Sequence, residues 1–421
     1  MHYYRKHRLV VGCLLVLCTA LKAQDTLTSA SVESTSYSLY TATNWNELIH
    51  YGNMALSKGI DYYYLRYRLG VAYFSEKKYR NAATQFEKAI AFNSTDEAME
   101  YLYYCYIYTE QYERARWLSK SFSHDAAVYT GSDKFKAVSF ATLEGGIGTS
   151  DSSKQFQDET YVQAGLGVYV NKRLSLFQAI TYFDQKAFRG PIEQLQYYLG
   201  GNIPFKNGWS LASGIQPIYT NTVPDYVVTD SVPGPRPPPG YPRPKKIAKI
   251  VDSSGTSESK FNFVWAASIS KSFSHFDITL GAAIGAFDTT TQYEQYLGIT
   301  YYPLGNNILS LGATTYMHTE NHYKSTHYGI IPYITVTPVK PLTLTISYLA
   351  NTGGNLIENT GYTVSGTPDF MVARFYCLAT IALSKYISIY ATYQHQDDQE
   401  EHRHWPFYYN LYSTGIKYVP Q

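Results

Sequence analysis

Cysteine is scarce in this chain. Of four in 421 residues, Cys13 and Cys18 lie near the N-terminus, and the remaining pair, Cys105 and Cys377, is too small for a disulfide framework. Charge is also thin: Asp, Glu, Lys and Arg make up 16% of the residues and nearly balance at a formal +2. That balance excludes nucleic acid as the expected partner. No apolar run after Leu21 reaches the roughly 18 residues that a membrane-spanning helix needs. No nucleophile and base are fixed by a recognisable motif, and no second set of metal ligands stands at fixed spacing, so neither an enzyme nor a cofactor is expected.

What is present begins with an export signal. Arg5, Lys6 and Arg8 form a basic start, Leu9 to Leu21 is the apolar stretch, and the bond between Ala23 and Gln24 is the expected cleavage point. Removing residues 1–23 takes away four of the 35 basic residues (Arg5, Lys6, Arg8, Lys22) and none of the 33 acidic ones, leaving 31 against 33. Tyrosine is abundant, 44 of 421 residues. Its ring favours an apolar environment and its hydroxyl a wet one, which suits a membrane–water boundary.

From Phe135 to Val419 the chain breaks into about fourteen stretches of alternating apolar and polar residues, the pattern of a barrel with lipid outside and water inside. In 159–171, Val162, Ala164, Leu166, Val168 and Val170 oppose Gln163, Gly165, Gly167 and Asn171. Phe276, Ile278, Leu280, Ala282 and Ile284 oppose Asp277, Thr279, Gly281 and Gly285. Leu309, Leu311, Ala313 and Met317 oppose Ser310, Gly312, Thr314 and His318. Met371 through Leu383 presents a fourth such face, with Arg374 and Thr380 opposite. Arg374, Asp277, His318 and Gly281 are therefore the candidate lumen residues. The segments 138–147 and 174–183 carry mixed faces.

Short and long connections alternate. Asn171-Lys172, 206–208, 273–275, 304–306, 338–341 and Lys385 are short, whereas 150–158, 223–259, 319–324, 351–368 and 397–406 are longer. Short turns mark the periplasmic side of such barrels. The brief connections near Arg189-Gly190 and Thr289–Thr291 are where twelve strands could replace fourteen. Ser413 to Tyr418 is similar to the polar-x-Gly-x-x-aromatic end recognised by barrel-assembly machinery.

Ahead of the barrel, residues 24–43 are rich in Ser and Thr and read as a flexible leader. Asn44 is placed to cap a helix beginning at Trp45, and helical periodicity runs over 44–122. Residues 123–134 read as a linker to the barrel at 135–421. Within the helical part, Leu69, Gly70, Tyr73, Tyr79, Ala82, Phe86 and Ala89 fall at the spacing of a packed helical hairpin, and Leu102, Tyr106, Tyr112 and Ala115 repeat part of it. This pattern resembles the tetratricopeptide repeat, a unit of about 34 residues, and about two and a half units are present.

Three further features invite function. The loop 223–259 holds a proline run followed by basic residues, with Arg236, Arg243, Lys245 and Lys246 as a candidate basic site: a solvated arm, or a plug folded into the pore. Asp397 to His404 is a hydrated acidic and histidine-bearing loop suited to the cations that bridge lipopolysaccharide. Inward glycines leave either an open conduit, a lumen filled by a folded-in loop, or points at which the sheet bends.

Helical repeats followed by a barrel resemble the polysaccharide-export porins of Gram-negative bacteria. That resemblance implies an outer-membrane conduit or assembly component, its helices in the periplasm, with lipid and lipopolysaccharide around it, a periplasmic protein partner and a polysaccharide cargo. An anchored scaffold and a lipid-modifying barrel enzyme using His275, His318, His327, Asp184 or Ser310 are the alternatives. Deleting the helices separates scaffold from conduit, since only the scaffold loses its role.

Overall fold

The structure is a computed structural model, and it describes residues 27–150, 156–187, 190–222, 227–232, 247–251, 257–287, 290–320, 325–351, 356–364, 370–399 and 406–420. Seven helices come first: α1 (Ser29–Thr41), α2 (Trp45–Ser57), α3 (Tyr63–Ser75), α4 (Tyr79–Phe92), α5 (Asp96–Tyr108), α6 (Tyr112–Leu118) and α7 (His124–Thr130). They stack as antiparallel hairpins over one core in which Leu65, Leu69, Ala82, Phe86, Ala98 and Leu102 are buried. Gly70 allows a close approach: a Cβ there would stand 2.6 Å from the Phe86 ring. Tyr73 and Ala89 are buried in the same core, while Tyr79 is half-buried between Phe74 and Tyr108.

Two boundaries differ from the sequence reading. Residues 29–41 are not a flexible leader but α1, whose N-terminus carries a capping box between Thr28 and Ser31. The helix escapes periodicity analysis because its buried stripe is narrow, Val32 and Ser36, and Glu33 holds it to α3 through Arg68 at 2.7 Å. The linker is likewise structured as α7, capped by the Ser123 side chain and ended by left-handed Gly131. Asn44 does precede α2, but its side chain makes no capping hydrogen bond.

The rest is a barrel. Its strands are β1 (Val138–Ser150), β2 (Phe156–Tyr169), β3 (Ser175–Ala187), β4 (Gly190–Pro204), β5 (Trp209–Thr222), β8 (Glu258–Ser272) and β9 (Phe276–Phe287), then β10 (Thr290–Tyr301), β11 (Leu309–Glu320), β12 (Ser325–Val339), β13 (Leu342–Asn351), β16 (Phe370–Ala382), β17 (Ile387–Gln399) and β18 (Pro406–Tyr418). All fourteen pair antiparallel with their neighbours, and β18 closes on β1 from Ala141↔Tyr418 to Ser150↔Tyr409. The count is fourteen because β3 and β4, and likewise β9 and β10, are separate strands paired antiparallel. Two small hairpins are not part of the barrel sheet: β6 (Val227–Val232) with β7 (Ile247–Val251), and β14 (Ile357–Glu358) with β15 (Thr363–Val364).

The outer surface is apolar, with Val162, Ile180, Leu195, Leu280 and Leu297 exposed around its middle. Rings flank this band at both ends. Trp209, Phe273, Phe276 and Tyr301 lie towards the short turns, and Tyr182, Tyr219, Phe261 and Tyr328 towards the long connections. An apolar band between two aromatic girdles is the exterior of a barrel embedded in a bilayer. The two segments with mixed faces still form β1 and β3, because partners on either side supply their hydrogen bonds.

Candidate functional site

The lumen is entered by chain. Between β13 and β16 the segment 356–364, expected as part of a long outer loop, lies inside the cylinder with Leu356, Ile357 and Glu358 buried. Its turn passes through left-handed Asn359 and Thr360, conformations that β-branched Thr rarely adopts. Contacts from opposite walls hold it there. The Ile357 N–H donates to Glu294 Oε2 at 2.9 Å, and Arg374 Nη2 pairs with Glu358 at 2.7 Å. Tyr198 donates to the Thr360 carbonyl at 3.3 Å, and Tyr362 donates to Gln163. The plug also has its own apolar seat, with Leu356 among Tyr316, Ile331, Leu349 and Met371, and Ile357 among Ile218, Val264 and Ala266.

Each predicted lumen residue has a definite place. Arg374 points inward and is taken up by the plug. His318 is buried between Glu294 at 3.3 Å and Glu320 at 3.3 Å, behind the plug. Asp277 sits at the short-turn rim, where it binds a helix side chain instead of solvent. Gly281 leaves no gap, because the Tyr296 ring of the neighbouring strand lies over it. The folded-in loop weighed for the lumen is thus real, but it comes from 351–368, not from the basic loop. Arg236, Arg243, Lys245 and Lys246 lie outside the described residues, as do Ala23, Gln24 and 400–405. Met371 was grouped with the outward face, but a bulge between Met371 and Ala373 shifts the alternation and turns it to the plug.

Beside the end of the plug, Glu144 of β1 is the focus of a tyrosine cluster. Tyr390 stands across from Gly415 on β18, and Gly415 in turn stands across from Glu144. Because residue 415 has no side chain, the Tyr390 ring lies across it and donates its hydroxyl to Glu144 Oε2 at 2.8 Å. Tyr161, lying over Gly146, donates to the other carboxylate oxygen. Sequence reasoning missed Glu144, Glu294 and Glu358. One signal was available: apolar residues on both faces, as in Ile330-Ile331 and Tyr348-Leu349, which a purely water-filled barrel does not need.

At the short-turn rim the helical array is seated on the barrel. Arg80, its side chain 2% exposed, binds Asp277, donates to the carbonyls of Phe273 and Ser274 at 3.1 Å each, and lies 3.8 Å over the Tyr302 ring. Its backbone N–H donates to Gly305 O at 2.9 Å, and Asn81 meets His275 at 3.0 Å. A second contact joins Lys172 to the Ser119 carbonyl and stacks Arg116 on Tyr169. Nothing in the sequence pattern marks Arg80, because its partners lie more than 190 residues away in the chain.

The class defined by these features is a closed fourteen-stranded antiparallel barrel with a loop in its lumen and a helical array on one rim. No protein-family model matches the chain, and no curated protein matches it. Among solved structures it is similar to the CymD monoaromatic hydrocarbon channel, at 5% identity and TM-score 0.46, over 69% of this chain and 91% of that one. It is similar also to the toluene transporter TodX of P. putida, at 8% identity and TM-score 0.43, over 70% and 94%. A bacterial polysaccharide outer membrane secretin matches at 9% identity and TM-score 0.39, over 68% and 100%. Likenesses of this order do not place the chain in any of these families.

Proposed function

We propose that the protein is a non-enzymatic conduit of a Gram-negative outer membrane, with its helical array in the periplasm. The observation that carries this reading is the lumen: a cylinder with an apolar exterior and a polar, partly solvated inner wall, obstructed among the described residues by the loop 356–364. The array sits on the side of the short turns, which supports its periplasmic placement. Exposed Tyr64, Tyr108 and Tyr129 give the array a surface for a periplasmic protein, and a carbohydrate remains the proposed cargo. Single-channel recording in planar bilayers tests the conduit. Discrete steps support it, and silence from both the native chain and a chain whose 356–364 is replaced by a Gly-Ser segment refutes it.

The apolar seat of the plug favours a second reading, an anchored scaffold whose barrel stays shut. In that case deletion of 44–122 abolishes partner recruitment, and neither form of the protein conducts.

A further inference from the structure

The plug divides the lumen unevenly. Behind it, the inward side chains of β10, β11 and β13 are closed off, with Glu294, His318 and Leu349 each 1% exposed. On the facing wall, built from β17, β18 and β1, Glu144, Tyr390 and Thr392 keep partial exposure, as does Tyr376 on the neighbouring plug-bound β16, while Gln396, Asp398 and Ser413 are buried. The helical array is off-centre in the same sense. Among the described residues, its hydrogen bonds to the barrel fall at the turns after β2, β8 and β10, and none reaches the turns after β12 and β16. The named contacts of both obstructions fall on strands from β2 round to β16, and none falls on β17 or β18.

The geometry points to a side passage along the β17–β1 wall that is selective for cations, with Glu144 as the residue that sets the selectivity. This rests on the conduit reading above and adds the class of solute. Among the described inward-facing residues, Glu144, Glu159, Glu294, Glu320, Glu358 and Asp398 carry carboxyl groups, against Arg374, Lys260 and Lys417 as permanent cations. Arg374 is already matched by Glu358, and His318 is shared by Glu294 and Glu320. Lys260 and Lys417 lie at the two rims.

Glu144 differs from the others in its partners. Both oxygens accept from phenols, which fix its position and carry no positive charge, and Tyr362 and Tyr376 bring further hydroxyls near it. A fixed carboxylate in a narrow passage with low-dielectric walls concentrates its field along the water path. Monovalent inorganic cations and small organic cations are drawn in, neutral solutes pass, and anionic solutes are repelled.

The test is the reversal potential of the full-length protein in planar bilayers under a KCl gradient. A reversal displaced towards the potassium equilibrium value is expected. In Glu144→Gln the K⁺/Cl⁻ permeability ratio should fall roughly fivefold, the effect of one unit charge acting at close range through water, and Glu144→Lys should invert the preference. Both differences should shrink as salt is raised, since screening shortens the range of the field. A native reversal at zero or on the chloride side overturns the inference, as does an unchanged ratio in a Glu144→Gln protein that retains heat-modifiable migration. If that variant does not insert, the native reversal potential decides alone. Steps that appear only after 356–364 is replaced overturn the side passage and leave the conduit standing. Silence from both forms removes the conduit and the selectivity together.

Discussion

Two residues of the helical array show how burial sets chemistry. Cys105 lies inside the core of α5, and burial pushes its thiol well above the ordinary value. A thiol reacts as its thiolate. In the native protein at mildly alkaline pH, maleimide should leave Cys105 unlabelled until denaturant is added, as peptide mapping by mass spectrometry would show. Gly70 tests packing. With a prospective Cβ 2.6 Å from the Phe86 ring, Gly70→Val forces the hairpin of α3 and α4 apart. Overpacking of this kind costs about 1–3 kcal/mol, so ellipticity at the helix wavelength should melt earlier while the barrel's strand signal stays in place. Gly70 was readable from repeat spacing alone, because close helix packing demands a small residue at that register. Glu144 was not, because its meaning depends on Tyr390 and Gly415, distant in the chain and adjacent only across closed strands.

At the scale of elements, the plug and α1 are the parts most open to test. Arg374 holds the plug through Glu358, and both side chains are about nine-tenths buried. Removing one member of a buried pair costs about 3–5 kcal/mol because the other is left uncompensated. Arg374→Ala should therefore loosen the plug, giving larger and noisier conductance steps than the native protein. An identical trace would count against this arrangement. For α1, the Arg68 hydrogen bond lowers the Glu33 carboxyl below its ordinary 4.5, against a smaller opposing effect of burial. A depressed carboxylate stabilises above the unfolded value and ceases to do so as pH falls through the folded one. Protease sensitivity of residues 27–43 should accordingly rise below pH 4.5 and not at neutral pH. Glu33 is largely solvated, so the change should be modest. Sequence patterning found α2 to α6, of which α3, α4 and α5 bury at least five residues each, and missed α1 and α7, which bury two and one.

For the whole molecule, the question is how two folded parts act as one. Arg80 is the principal bond between them, filling a socket of two carbonyls, a carboxylate and an aromatic face. Arg80→Ala should release the array from the rim while leaving both parts folded, and trypsin should then cut faster between 131 and 137 with no loss of heat-modifiable barrel. The sequence by itself determined the two-part plan: alternation with period two forces a ribbon oily on one face and wet on the other, and repeat spacing forces packed helical hairpins. Both are local rules, satisfied by neighbours within a strand or a hairpin. Tertiary structure decided which loop turns into the lumen, where the array is seated, and that Glu144 meets two phenols. Those outcomes depend on which side chains the closure of β18 onto β1 brings together across the cylinder, and no local pattern carries that distance.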